Sequence, residues 1–334
     1  MTRRALVFGC ALGGCGRHRP RLNVYNWSNY VAPETIPDFE RESGVRVRYA
    51  TYESNEEMLA KVLGGNSGWD IVFPTHNRVR PMRDYGLLAP LHPEWLPNLG
   101  NLDPRFRTDD LAWGVPYMWY ATGIVYNREV KPAPAAWADL WETRFRGRMT
   151  MLDDPEDVLG ACLRKLGLPF ATTDPGELRR AQQEAIAQKP LLRAYLNAEV
   201  RDQLVAGDVL VAQLWSTTAQ QAIEASPRLA FVYPREGFPL YVDCAVILKE
   251  SRRAEMAHRF IDYLLRPRVS AAIVRATLTA TANAEAQKLL PHSIKNNATL
   301  YPPPEIFARG EWPPPTPPAA QRLRDRLWTE VKAS

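Results

Sequence analysis

The sequence predicts an α/β protein of two lobes, built on doubly wound sheets. Three observations carry that expectation. Segments with strand character alternate with helical segments from Leu22 onward. The alternation restarts at Arg148 as a second unit of the same kind. The length of 334 residues, 46% hydrophobic and 24% charged, suits a soluble chain of two domains rather than one.

The elements follow in order. LNVYNW, from Leu22 to Trp27, opens with an apolar alternation and reads as a strand. PETIPDFERESG is helical, with Pro33 at a first-turn position and Gly44 as its stop. VRVRYATY alternates with period two, a second strand. SNEEMLAKVLGG carries a capping box, Ser54 with Glu57, and a glycine stop. WDIVFPT is an apolar, buried strand. Strands alternating with helices predict a parallel sheet, because a helix returns the chain to the same edge.

In the second unit RMTML is a strand that enters the helix DDPEDVLGACLRKLG. DVLVAQLW is a strand and STTAQQAIEA a helix; LAFVYP and YVDCAVIL are further strands, and AEMAHRFIDYLLRP a further helix. Tyr120–Asn127 and the Asp243–Val246 region read as short crossings between the lobes. The tail from Tyr301 holds many of the 29 prolines and predicts an extended strap ending in an amphipathic helix.

Charge narrows the function classes. The net charge is +5, yet five of the 42 basic residues fall in residues 1–21, which hold no acid. The remainder is balanced, 37 basic against 37 acidic, which argues against nucleic acid as a partner. No run of 18 or more apolar residues exists to form a membrane span. Residues 1–21 read as a targeting leader: MTRR is a basic start and ALVFGCALGG a short apolar stretch. LGGC, ending at Cys15, resembles a bacterial lipobox and makes Cys15 the expected lipidation site; VFGC at Cys10 is the poorer match. Beside a bacterial leader, the NWS sequon at Asn26 is disregarded. Cys162 and Cys244 remain, as buried thiols or as one bridge.

In open parallel sheets, ligands bind beyond the carboxyl ends of the strands. Here those ends carry Trp27, Ser28 and Tyr30, then Thr75, His76 and Asn77. The second unit adds Asp153, Asp154 and Asp157, then Trp215, Ser216 and Thr218, then Tyr241 and Asp243. Aromatic faces plus carboxylates suit an elongated organic cation, its ammonium heads on carboxylates and its methylene stem on rings. Each desolvated cation–π contact contributes roughly 0.5–2 kcal/mol. Plainer roles stand beside these. Asp154 before Pro155, with Asp157 three residues on, also reads as a helix N-cap. Trp215 reads equally as core, and Tyr241 as cross-strand packing. His76, His92, His258 and His292, four of the five histidines, show no metal-ligand spacing, and no metal or cofactor is expected.

These residues carry a resemblance. The motifs YNWSNYV, YATYESNEEMLAKV, WDIVFPT, PYMWYATGIVYN, WADLWETRFRGRM, FIDYLLRP and TLYPPPE followed by GEW run in family order over residues 22–334. The chain resembles the bacterial spermidine/putrescine-binding proteins, the extracytoplasmic receptors of polyamine ABC transporters. The resemblance implies a two-lobed periplasmic-binding-protein fold of type II-like topology, with the ligand cleft between the lobes, closing by hinge bending. We place one lobe at residues 22–122 plus 246–297, and the other at 123–245 plus 298–334. It implies a non-catalytic receptor, monomeric, partnered by permease subunits and a cytoplasmic ATPase.

Residue by residue, Trp27, Ser28 and Tyr30 match the family's first ligand loop, and Thr75 its serine after the third strand. Asp154 matches a carboxylate that meets an amine, and Asp157 stands where the spermidine type has Glu. Trp215 matches an aromatic wall, Tyr241 stands at a Trp or Phe position, and Asp243 matches the carboxylate for a terminal amine. Four positions depart from the pattern: Asn77 and Thr279 replace aromatics, Thr218 replaces an Asp of the putrescine type, and Pro313 replaces a Gln. The competing reading is an enzyme with Cys244 or Cys162 as nucleophile, which would need a base beside the thiol; no histidine neighbours either in sequence. Ferric iron would want clustered Tyr and His ligands, and an anion would want cleft arginines; neither is foreseen, while an amine bearing a carboxyl or guanidino group stays open.

Overall fold

Residues 19–107 and 109–334 are described in the computed structural model of the protein. The expected lipidation site, Cys15, lies outside the described residues. β1 (Arg21–Trp27) lies between β2 (Arg46–Tyr52) and β3 (Ile71–Val72), parallel to both. α1 (Thr35–Ser43) and α2 (Asn55–Leu63) make the crossovers, and α3 (His76–Asp84) leaves β3. Pro33 precedes α1, because mutual hydrogen bonds between Ala32 and Thr35 close a turn that contains it. Gly44 ends α1 at φ +72°, where a Cβ is disfavoured, and its N–H donates to the Glu40 carbonyl at 3.0 Å. Ser54 caps α2 by accepting from the Glu57 N–H at 3.1 Å. The Glu57 carboxylate returns to the Glu53 N–H at 2.9 Å, so the reciprocal half of the box falls one residue earlier than expected.

The chain then enters β4 (Val115–Asn127), a strand of 13 residues. It continues through β5 (Met149–Met151), α4 (Pro155–Lys165), α5 (Pro175–Gln188), β6 (Ala194–Tyr195), α6 (Val200–Ala206), β7 (Val211–Trp215) and α7 (Ser216–Ala225). β8 (Leu229–Val232), β9 (Phe238–Ile247), α8 (Ala254–Leu264), α9 (Pro267–Thr277), β10 (Ala280–Thr281), α10 (Ala284–Lys288) and α11 (His292–Lys295) follow. α12 (Pro304–Phe307), β11 (Gly310–Glu311) and α13 (Pro318–Ala333) form the tail.

The strand order β2-β1-β3-β9-β4-β7-β5-β6 has parallel strands at both ends and an antiparallel centre. The parallel sheet expected from the strand–helix alternation is present in β1, β2 and β3, whereas the sheet as a whole is mixed. The difference comes from β4 and β9, which run through the molecule and pair along much of their length. The first half of β4 pairs with β9 and β10, and its second half with β7 and β8. Tyr120–Asn127 is therefore the second half of one continuous strand rather than a short connection. Gly123 permits it: a Cβ there would lie 2.4 Å from the Phe231 ring and 2.8 Å from the Val232 carbonyl.

The tail behaves as a strap. β11 pairs with β9, Trp312 packs edge-on against Phe106 and His76, and α13 buries Leu327, Trp328 and Val331 against the second unit. The buried Arg324 of α13 donates to the Phe170 and Thr172 carbonyls.

Candidate ligand-binding site

Strand register brings the site together. β3 pairs Val72 with Val246, and the chain leaving it bridges Thr75 to Asp243. β7 ends at Trp215 opposite Thr122, while Tyr120 pairs with Tyr241 across β4 and β9. The carboxyl ends of both units thus converge on the middle of the two long strands. Tyr241 and Asp243, two apart, emerge on one face there. The chain leaving β5 supplies Asp153–Asp157 to the same place.

A cavity of about 120 Å³ lies at this convergence. Eight of the nine expected residues line it: Trp27, Ser28, Tyr30 and Thr75 from the first unit, and Asp154, Asp157, Trp215 and Tyr241 from the rest. The ninth, Asp243, lies behind the wall and is fully buried. Its Oδ2 accepts from the Tyr30 hydroxyl at 2.8 Å, and its Oδ1 from the Thr75 hydroxyl at 3.0 Å.

Asp157 is held in a similar way. Its Oδ2 accepts from Trp215 Nε1 at 3.0 Å and its Oδ1 from the Tyr241 hydroxyl at 3.3 Å. Trp215 is therefore a wall residue with a polar task rather than core. Tyr241 lines the cavity, and its ring also packs across the strands on Tyr120 at 5.5 Å. Trp27 donates from Nε1 to the Phe73 carbonyl at 2.7 Å, with its ring 4.6 Å from that of Tyr52. That fixes the indole plane. Ser28 donates to Glu53 at 3.1 Å. Asp154 is the N-cap of α4, accepting from the Glu156 and Asp157 N–H groups at 2.8 and 3.1 Å, and it lines the cavity as well.

The electrostatics are unusual for carboxylates. Burial pushes Asp157 up to about 7, against the lowering effect of its Thr122, Trp215 and Tyr241 hydrogen bonds. Burial likewise pushes Asp243 up to about 7, against the hydroxyls of Tyr30 and Thr75. Asp154 is raised by burial and then by the Asp157 charge beside it. Among the described residues, none of the three has a cationic side chain within 4.0 Å. Neutral donors alone hold them.

Several wall residues were not foreseen from the sequence, among them Tyr120, Glu156 and Arg78. Tyr120 lies within a quoted motif, but the segment was read as a connection. Glu156 sits in sequence between two proposed ligands, Asp154 and Asp157, and was not among the expected residues. Arg78 places a guanidinium where no cation was foreseen; its Nη2 lies 3.6 Å from Glu156 and 3.6 Å from Glu56. A basic residue next to Asn77, one step beyond the strand end, was the available signal.

Of the four departures, Asn77 and Thr218 line the cavity. Asn77 donates from Nδ2 to both Glu156 oxygens, at 2.9 and 3.2 Å. Thr279 is fully buried outside the cavity wall, and the Pro313 carbonyl accepts from His76 Nε2 at 3.0 Å. The His76 Nδ1 accepts from the Val242 N–H at 3.4 Å, so the ring is neutral and burial lowers its pKa to about 4. Cys162 and Cys244 are free and buried, and burial pushes both thiols well up. Neither is an activated nucleophile. Among the described residues no group of three or more His, Cys, Asp or Glu is placed to hold a metal ion, and no helix is long and apolar enough to cross a membrane.

The family model for bacterial extracellular solute-binding proteins matches residues 34–302. The chain is a bacterial extracellular solute-binding protein. Binding proteins of similar sequence include the spermidine/putrescine-binding periplasmic protein of Escherichia coli, 33% identical over 99% of this chain and 98% of that one. The putrescine/cadaverine-binding protein of Pseudomonas aeruginosa is 31% identical over 99% of each. Among solved structures, the spermidine/putrescine ABC transporter substrate-binding protein of Streptococcus pneumoniae superposes with a TM-score of 0.83 at 28% identity, over 94% of this chain and 99% of that one. The fold is the two-lobed binding-protein fold of such transport receptors. The family and these relatives are solute-binding transport proteins and not enzymes, which removes the thiol-nucleophile reading.

Proposed function

We propose that this protein captures a polyamine outside the cytoplasmic membrane and delivers it to the permease of an ABC transporter. One observation carries the reading. Asp157 and Asp243 are buried carboxylates with neutral donors only, on the two sides of Tyr241, at an aromatic-walled cavity. Such groups want an external cation, and a cavity of rings and acids takes ammonium heads joined by methylenes. Asp157 meets one ammonium through its remaining acceptor positions. Asp243 acts through its partners: the Tyr30 and Thr75 hydroxyls donate inward to it, and the Tyr30 oxygen keeps its lone pairs for a second ammonium, while the Thr75 oxygen already accepts from Asn55 Nδ2 at 2.9 Å and keeps one.

The domain boundaries given above, with β4 and β9 as the crossing strands, make the two lobes hinge at the centre of the sheet. Closure favours the liganded form because Tyr30 and Thr75 of one lobe and Asp157 of the other engage the ligand together only when the lobes meet. A lipid at Cys15 holds a monomeric receptor at the membrane face. Replacing Asp243 with Asn tests the assignment. Putrescine and spermidine should each bind at least tenfold more weakly by calorimetry, since the hydroxyls lose the acceptor that polarises them. Unchanged affinity for both removes Asp243 from the site.

A further inference from the structure

Among the described residues Arg78 is the one cationic side chain lining the cavity, and its surroundings are built. Its side chain is 15% exposed and its Nη2 is 3.6 Å from Glu156, whose own side chain is 13% exposed. The same Nη2 is 3.6 Å from the more exposed Glu56, and Nη1 donates to Gln321 at 3.3 Å. The Arg78 Nε is buried with no partner. Glu156 is taken up on its other side by Asn77, so two consecutive residues at the start of α3 occupy one carboxylate of α4. The acids of this cavity therefore fall into two sets. Asp154 and Asp157, with the exposed Glu53, have no cation within 4.0 Å among the described residues, whereas Glu156 and Glu56 share Arg78 and the exposed Asp153 has Lys332.

We infer that Arg78 is a resident cation that takes the place a third ammonium would occupy, so that the cavity selects diamines over triamines and tetramines. This rests on the polyamine reading above. A diamine brings two charges for the carboxylates that lack a partner. A longer amine brings a further ammonium to Glu156, where it meets a guanidinium that is already bonded and cannot lose its proton. Like charges at such range in a poorly hydrated wall repel strongly, and a partly buried ammonium left without an acceptor is unfavourable in its own right. Selectivity of this kind comes from a repulsive element facing the wrong ligand as much as from attraction to the right one. The neighbouring carboxylate of Glu156 stabilises the charged form of Arg78 against the opposing effect of burial.

The test is calorimetric titration of the wild-type protein and three variants with putrescine, cadaverine, spermidine and spermine. Wild type should bind putrescine or cadaverine at least tenfold more tightly than spermidine. Arg78→Gln should narrow that ratio at least tenfold, with a gain for spermidine. Arg78→Lys, which keeps the charge, should hold the ratio within threefold of wild type. The ratio is the readout because a purely structural role for Arg78 would weaken all amines together. Glu156→Gln provides an independent measure should Arg78→Gln not fold: it leaves the guanidinium without its more buried carboxylate partner, and the ratio should rise threefold or more. A wild-type preference for spermidine, or a ratio unmoved in Arg78→Gln or, in its place, Glu156→Gln, overturns the inference while the polyamine reading stands. Absence of binding by any amine in the wild-type protein overturns both.

Discussion

Lowering the pH from 8 to 6 should weaken amine binding by about a hundredfold. Asp157 and Asp243 each ionise near pH 7 before ligand arrives, because burial disfavours their charged forms. At pH 8 roughly nine-tenths of each is ionised, and at pH 6 roughly one-tenth, so each carboxylate contributes about a tenfold loss. Two such groups give about a hundredfold, or about 2.7 kcal/mol. The ligand does not contribute, since alkylammonium groups titrate near the lysine value of about 10.4. The sign is fixed by the direction of the shift: binding selects the carboxylate, so affinity rises with pH through 7 and levels off above it. Titration with putrescine at pH 6, 7 and 8, in buffers of differing ionisation enthalpy, should show falling affinity toward acid and release of one to two protons per ligand near pH 6. A dissociation constant independent of pH, with no proton release, would refute the assignment of both carboxylates.

Asp157→Asn should weaken putrescine binding by about 2–5 kcal/mol, because the ammonium loses its charged partner. It should also raise the melting temperature of the unliganded protein at pH 8. There the folded state carries a buried charge, which the unfolded chain, titrating near the ordinary carboxylate value, ionises freely. A lower melting temperature would show that the charge is already compensated. Gly160→Ala in α4 would set a Cβ 2.0–2.6 Å from three carbons of the Phe170 ring and should cost about 1–3 kcal/mol of folding stability in denaturant titration. No change there would mean that Phe170 moves freely. Cys162 and Cys244 should resist iodoacetamide at neutral pH and react only on unfolding; rapid labelling of either folded thiol would reopen chemistry at that position.

Local patterns in this chain were legible where a single segment decides the outcome. The period-two run at Arg46–Tyr52, the Ser54 cap, the Gly44 stop and the Asp154 cap all depend on residues within a few positions of each other. Part of the cavity wall was legible because the carboxyl ends of the strands converge by topology, so that listing strand ends finds eight of the nine expected residues there. What was not legible depends on pairing at long range. Tyr120–Asn127 is too mixed, with Thr122 and Gly123 at its centre, to read as half of a long strand. It becomes one because β7, β8 and β9 lie beside it. Asp243 appears as a direct ligand in sequence, and only the packing of Tyr30 and Thr75 against it shows that hydroxyls intervene. Arg78 was invisible for the same reason, since its partner Glu156 lies 78 positions away on a different helix.

The central claim is that this binding protein takes an amine. Calorimetric titration of the protein with putrescine, cadaverine, spermidine, spermine and agmatine, with arginine and glutamate as controls, tests it most directly. Micromolar or tighter binding of at least one amine, with neither amino acid competing, is the predicted result. Heat from arginine or glutamate alone, with none from any polyamine, would contradict it and would make Arg78 the anchor of a ligand carboxylate instead.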